Sequence, residues 1–175
     1  MPSGATHDRF WRAGWGITLP ASLYSSISVS PSFASGYLFG YGLGYYFDPD
    51  MDQVSITQAE GRLMRHFKIL GYVIVGYTTI YGAVFRKLHR SFITHFPYIS
   101  TGIRFVYLFW WLYFIPILWE VWMLEFWVGV YFGMSQADAG HSTADLFFQE
   151  EGDKLVWVKN PLGKFNPFLR KKKKK

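Results

Sequence analysis

Residues 69–85 read ILGYVIVGYTTIYGAVF, a run of 17 residues without a charge. At 1.5 Å per residue, a helix of that length covers roughly 25 Å, just short of the roughly 30 Å hydrocarbon core of a bilayer. Lys68 and Arg86 bound it, and long basic side chains can snorkel outward to make up the difference. The stretch therefore predicts a transmembrane helix, and the rest of the expected fold is built outward from it. Upstream, Thr57 and Glu60 stand at capping-box spacing, which places the helix start near Gln58.

Composition agrees with that reading. The 175 residues suffice for one modest domain; half are hydrophobic and only 17% are charged, against about 25% in an ordinary soluble chain. No charge falls between Ala13 and Phe47, and only Glu120 and Glu125 interrupt the run from Phe105 to Ser135. A small soluble domain needs charge on each exposed face, so two further spans are expected. One covers residues 105–130. Its apolar run is too long for a perpendicular crossing, so it must tilt, kink at Pro116 or protrude, with Trp119, Trp122 and Trp127 at the headgroups. The other covers residues 32–47 and is stopped by Asp48, Asp50 and Asp52.

The expected fold is thus an all-α membrane protein of two to three transmembrane helices. Residues 1–135 form its membrane domain. Residues 136–175 form an extramembrane extension, partly hairpin-like around the acidic turn of DLFFQEEGDKLVWV, that ends in KKKKK. Lys68, Arg86, Lys87, Arg90, Arg104, Lys171, Lys172 and Lys173 are the candidate contacts to anionic headgroups. Arg86, Lys87, Arg90 and Arg104 favour the cytoplasmic or matrix side for the loop that carries them.

Gly36, Gly40 and Gly44 recur once per helical turn within GYLFGYGLGYY, and Gly71 and Gly76 form a looser set in the span at 69–85. In lipid, helix association relies on close packing, and small residues let backbones approach. These glycines are the expected helix-packing residues, either within the chain or between subunits. The stripe at 36–44 resembles the glycine-stripe helices of small membrane subunits that shape mitochondrial cristae, such as the dimer-associated e and g subunits of ATP synthase and the core subunits of cristae junctions. That resemblance implies a packing role for Gly36, Gly40 and Gly44.

Few residues suggest chemistry. Glu120 and Glu125 lie about 140° apart around a helix and suit pairing with a neighbouring subunit better than a proton relay. Asp48, Asp50 and Asp52 lack the glycine and glutamate a calcium loop needs at its sixth and twelfth positions. His66 and His89 flank the central span too far apart to share a metal, and His95 and His141 fall in apparent loops. GHSTAD, residues 140–145, holds Ser, His and Asp, but adjacency in sequence rarely makes a triad, and the segment reads as surface loop. The chain has no cysteine, and no nucleotide or zinc signature appears.

The functional expectation is a non-enzymatic accessory subunit of a mitochondrial inner-membrane complex, either the membrane sector of ATP synthase or a respiratory-chain complex. Its partners would be other subunits and anionic lipids, without nucleic acid. No cofactor is expected beyond a structural phospholipid such as cardiolipin. Two alternatives stand beside it: a small transporter or enzyme using Glu120 or Glu125, and an endoplasmic-reticulum membrane protein carrying a dilysine signal at Lys172 and Lys173.

Overall fold

A computed structural model describes residues 4–47, 56–85, 96–115, 121–151 and 154–157. Among these are five α-helices: α1 (Gly4–Ser28), α2 (Pro31–Leu43), α3 (Gln58–Phe85), α4 (Pro97–Phe109) and α5 (Val121–Phe147). A short 3-10 turn, Trp110–Phe114, extends α4. A hairpin follows α5, with β1 (Phe148–Glu151) antiparallel to β2 (Lys154–Trp157) and Phe148 paired with Trp157.

The bundle is built on α5. Ser30 caps α2 by accepting the Phe33 N–H at 3.1 Å, and Pro31 occupies the first turn, where a missing N–H costs nothing. α1 and α2 run antiparallel. Trp11 donates from its indole to the Tyr41 carbonyl at 3.0 Å near one end, and the Ser22 hydroxyl donates to the Ala34 carbonyl at 3.2 Å near the other. α2 then lies parallel to α5 along a seam of glycines from both helices. A Cβ built on Gly40 would stand 2.1 Å from the Val130 carbonyl oxygen, and one on Gly133 would stand 2.1 Å from that of Tyr37. Gly36, Gly44 and Gly129 face the opposite helix just as closely. The seam is thus intramolecular, and contact between the two backbones requires residues without a side chain.

α3 reverses on itself. Lys68 has φ 48° and ψ −122°, outside any helical region. Thr78 Oγ1 lies 3.1 Å from Glu60 Oε1, 18 residues earlier; a straight helix would separate them by roughly 27 Å. Gly71 fits against the Leu63 carbonyl, where a Cβ would stand at 2.2 Å. The segments either side of Lys68 therefore form a helical hairpin. The capping box closes its start, with the Thr57 N–H donating to Glu60 Oε2 at 2.9 Å and the Glu60 N–H donating to Thr57 Oγ1 at 3.2 Å. The later half packs on α4 through stacked Tyr77 and Tyr107, whose ring centroids are 4.6 Å apart. Each tyrosine hydroxyl donates to the other's carbonyl. Tyr81, Leu108, Val130 and Met134 form the apolar core where α3, α4 and α5 meet.

This architecture corrects the expectation of two to three transmembrane helices. Among the described residues one helix, Gln58–Phe85, is long and apolar enough to cross a membrane, and it is the one that breaks at Lys68. The expected span at 105–130 is not one helix: α4 ends at Phe109, the 3-10 turn follows, and Ile115 is extended. The expected span at 32–47 is a 13-residue helix held between α1 and α5. In the charge-poor stretches the helices turn small hydrogen-bonding residues inward, with Thr18, Ser22, Ser25 and Thr78 buried, while large apolar side chains such as Leu23, Ile27 and Ile69 are exposed.

Asp48, Asp50, Asp52, Arg86, Lys87, His89, Arg90, His95, Pro116, Trp119, Glu120, Lys171, Lys172 and Lys173 lie outside the described residues. Gly76 is exposed, with open space where a Cβ would project. Lys68 is the pivot of the α3 hairpin, and Arg104, read from sequence as a headgroup contact, is fully buried.

Candidate metal centre

α5 continues without interruption through the segment read from sequence as loop. Its buried residues Ser135, Asp138, His141, Ser142 and Asp145 recur every three or four positions, which is one face of a helix. That face is polar, and it is turned toward α1 and α4 in the interior. The 25 residues of α1 run back along α5, so that Gln136 donates to Thr18 Oγ1 at 2.9 Å. His7, in the first turns of α1, then arrives beside His141, 134 residues away in sequence.

The two imidazoles meet edge to face with centroids 3.8 Å apart. His7 Nε2 is 3.3 Å from Asp145 Oδ1, and His141 Nε2 is 3.3 Å from Asp145 Oδ2. The three side chains offer ligand atoms that all lie within 4.8 Å of one another. Nitrogen and carboxylate ligands bind zinc-like ions at roughly 2.0–2.2 Å, so two donors of one tetrahedral ion stand about 3.4 Å apart. Each histidine Nε2 stands about that far from one Asp145 oxygen, a spacing compatible with a shared divalent metal. Burial by itself would raise the Asp145 carboxyl, but hydrogen bonds from His141 and His7, then their charges, hold it well below the usual carboxylate range. It is therefore ionised, as a ligand must be.

Two arginines brace the surroundings. Arg104 of α4 donates from Nη2 to Asp138, one turn before His141, and from Nη1 to the Phe47 carbonyl at 2.5 Å. The Thr101 hydroxyl meets the same Asp138 oxygen. Burial pushes the Asp138 carboxyl up, against the opposing pull of Arg104, Thr101 and His141. Arg62 of α3 donates from Nη1 to Asp8 Oδ1 at 2.7 Å and from Nε and Nη2 to the Tyr45 carbonyl at 3.1 and 2.6 Å. Its guanidinium also lies 3.9 Å from the centroid of the Tyr45 ring. These contacts tie α1, α3, α4 and the chain just after α2 to one end of α5.

Sequence reasoning placed none of its candidate residues in this cluster. Glu125 is half-buried sixteen residues before His141 on the same helix, roughly 24 Å away along its axis. His66 is exposed and lies 3.1 Å from the Tyr46 hydroxyl. His141 and Asp145 stood in the GHSTAD segment, but as a supposed loop. The missed signal was their i, i+4 spacing, which on a helix puts both side chains on one face.

Among the described residues, helices converge on two imidazoles and a carboxylate that could together hold a metal ion. Residues 2–159 match the model of the family described as "Uncharacterized metal-binding protein (DUF2227)", and the chain belongs to that family. No curated protein and no solved structure matches it.

These findings correct the functional expectations. The family match and the His7–His141–Asp145 cluster point to a metal, in place of no cofactor or a structural phospholipid. Nothing ties the chain to ATP synthase, to a respiratory complex or to mitochondria, and the glycine stripe on which that assignment leaned is occupied by the chain's own α5. Glu120, Lys172 and Lys173, on which the alternatives draw, lie outside the described residues. A multi-pass location in the inner membrane, with lipids and membrane subunits as partners, conflicts with a bundle in which only one described helix meets the criterion for a span.

Proposed function

We propose that this chain binds one divalent transition-metal ion through His7, His141 and Asp145, and that the ion keeps a position open to an exchangeable ligand. The observation that carries this reading is the pair of 3.3 Å separations between the histidine Nε2 atoms and the two oxygens of Asp145. Two imidazoles and one carboxylate suit zinc and its neighbours in the first transition row better than calcium or magnesium, which prefer all-oxygen shells. Three protein donors are the number found in catalytic zinc sites, whereas structural sites have four. A Lewis-acid role toward a bound substrate is the chemistry such an ion would supply.

The test is metal content after dialysis against a defined mixture of zinc, manganese, iron and calcium salts. The expected result is close to one equivalent of a transition metal per chain, lost in His141→Ala while the far-UV circular dichroism is kept. Equal metal content in wild type and His141→Ala would refute the assignment.

A further inference from the structure

Beside the two histidines is a cavity of about 20 Å³, room for one water. His7, His141, Asp8 and Asp138 contribute to its wall. Asp145, which both Nε2 atoms face, does not border it. The cavity therefore lies toward the Nδ1 edges of the imidazoles.

Those edges meet, with the two Nδ1 atoms 2.7 Å apart. At that distance one nitrogen donates and the other accepts. A neutral imidazole that binds an ion through Nε2 carries its hydrogen on Nδ1. With an ion on both Nε2 atoms, two N–H groups would face each other and neither could accept. The loaded pair needs a new acceptor. Ligating histidines ordinarily give their second N–H to a carboxylate, a carbonyl or a water.

The wall supplies what such a water requires. Arg62 reaches Asp8 at Oδ1, and Arg104 and Thr101 both reach Asp138 at Oδ2. Each pairing leaves the second carboxylate oxygen for another donor. Asp138 is 1% exposed, and a buried polar oxygen that no protein donor meets takes an ordered water. Asp138 stands one turn before His141 on the same face of α5, and Asp8 directly follows His7. Two N–H donors and two carboxylate acceptors are the full complement of a buried water.

We infer that the cavity is a water site that orients the metal ligands, the water accepting the Nδ1–H groups of His7 and His141 and donating to Asp8 and Asp138. This rests on the metal-binding reading above. It adds two positioning residues, Asp8 and Asp138, each clamped by a guanidinium.

The full-length protein, labelled with ¹⁵N and loaded with Zn²⁺, supplies the readout. Long-range proton–nitrogen correlation spectra distinguish the two nitrogens of each ring. Both imidazoles should be metallated at Nε2 and protonated at Nδ1, with the Nδ1 hydrogens protected from exchange with solvent. In Asp138→Asn, Arg104 can only donate, so the amide oxygen turns to it and the NH₂ group to the cavity. The water then loses an acceptor. Exchange at Nδ1 should quicken, and zinc affinity should fall by at least about tenfold. Asp8→Asn acts in the same way against Arg62. Its side chain is 24% exposed, which keeps the inference testable should Asp138→Asn fold poorly. Metallation of either histidine at Nδ1, or Nδ1 exchange unchanged in both variants whatever their affinity, would overturn the inference and leave the metal site standing. Imidazole signals that do not respond to zinc would overturn both.

Discussion

The Nδ1 atoms of His7 and His141 stand 2.7 Å apart. Nitrogens that close share a proton, one donating and the other accepting, so the pair cannot carry hydrogens on both facing atoms. Meanwhile both Nε2 atoms point at Asp145. A metal bound between them must displace any proton that the Nε2 atoms carry. Metal uptake should therefore release protons, and affinity should fall by at least about tenfold between pH 7.5 and 5.5. Competition against a chromophoric chelator at the two pH values measures this, and a pH-independent affinity would exclude histidine ligation.

The metal-free protein should also lose stability in acid, with a sign set by Asp145. Its carboxyl is held well below its ordinary value of 3.8 in the folded state. The folded chain therefore binds fewer protons than the unfolded chain in the window around and below that value. The contribution is complete above the unfolded pKa and is lost as pH falls through the window toward the depressed folded value. Asp138 works the other way. Its folded pKa is raised, so its contribution is complete below the unfolded value and is lost as pH rises through the folded one. Urea unfolding in the presence of EDTA at pH 6 and pH 3.5 should show a drop for wild type that is smaller in Asp145→Asn. An equal drop in both would show that other carboxylates dominate acid unfolding.

The helices were legible in the sequence to a greater degree than their surroundings. Thr57 and Glu60 announced the start of α3, and the spacing of Gly36, Gly40 and Gly44 is visible without coordinates. Their counterparts Gly129 and Gly133 lie in or just past the aromatic run read as a membrane span at 105–130. Nothing in residues 69–85 reveals that the preceding segment folds back at Lys68, because a lysine beside an apolar run is also how a membrane flank looks. The metal cluster was hidden for a different reason. Sequence periodicity is ordinarily sought in apolar residues, and the buried stripe of α5 from Ser135 to Asp145 is polar, with Gly140 inside it suggesting a turn. His141 and Asp145 could have been found from their i, i+4 spacing. His7 could not, since only the antiparallel return of α1 along α5 brings it there.

Lys68 is strained at φ 48°, a value L-residues adopt at a cost. Lys68→Gly should relieve it and raise the unfolding free energy by about 1 kcal/mol. Lys68→Pro, whose ring fixes φ near −65°, should destabilise by about 3 kcal/mol or more. Chemical denaturation of the three proteins decides. A Lys68→Gly variant less stable than wild type would mean that α3 does not reverse at this residue.

The glycine seam makes a paired prediction within one substitution type. Gly40→Ala would put a methyl group 2.1 Å from the Val130 carbonyl oxygen, against backbone that cannot rotate away. Separating α2 from α5 should cost about 1–3 kcal/mol, the usual range for overpacking. Gly76→Ala meets nothing within 4 Å on an exposed helix face, and should stabilise by up to about 1 kcal/mol through helix propensity. Because α5 also carries His141 and Asp145, the Gly40 substitution should weaken metal binding as well, while Gly76→Ala leaves it unchanged. Thermal denaturation with and without bound metal separates the two effects. A Gly40→Ala protein with unchanged stability and metal affinity would show that α2 does not rest on α5 through this seam.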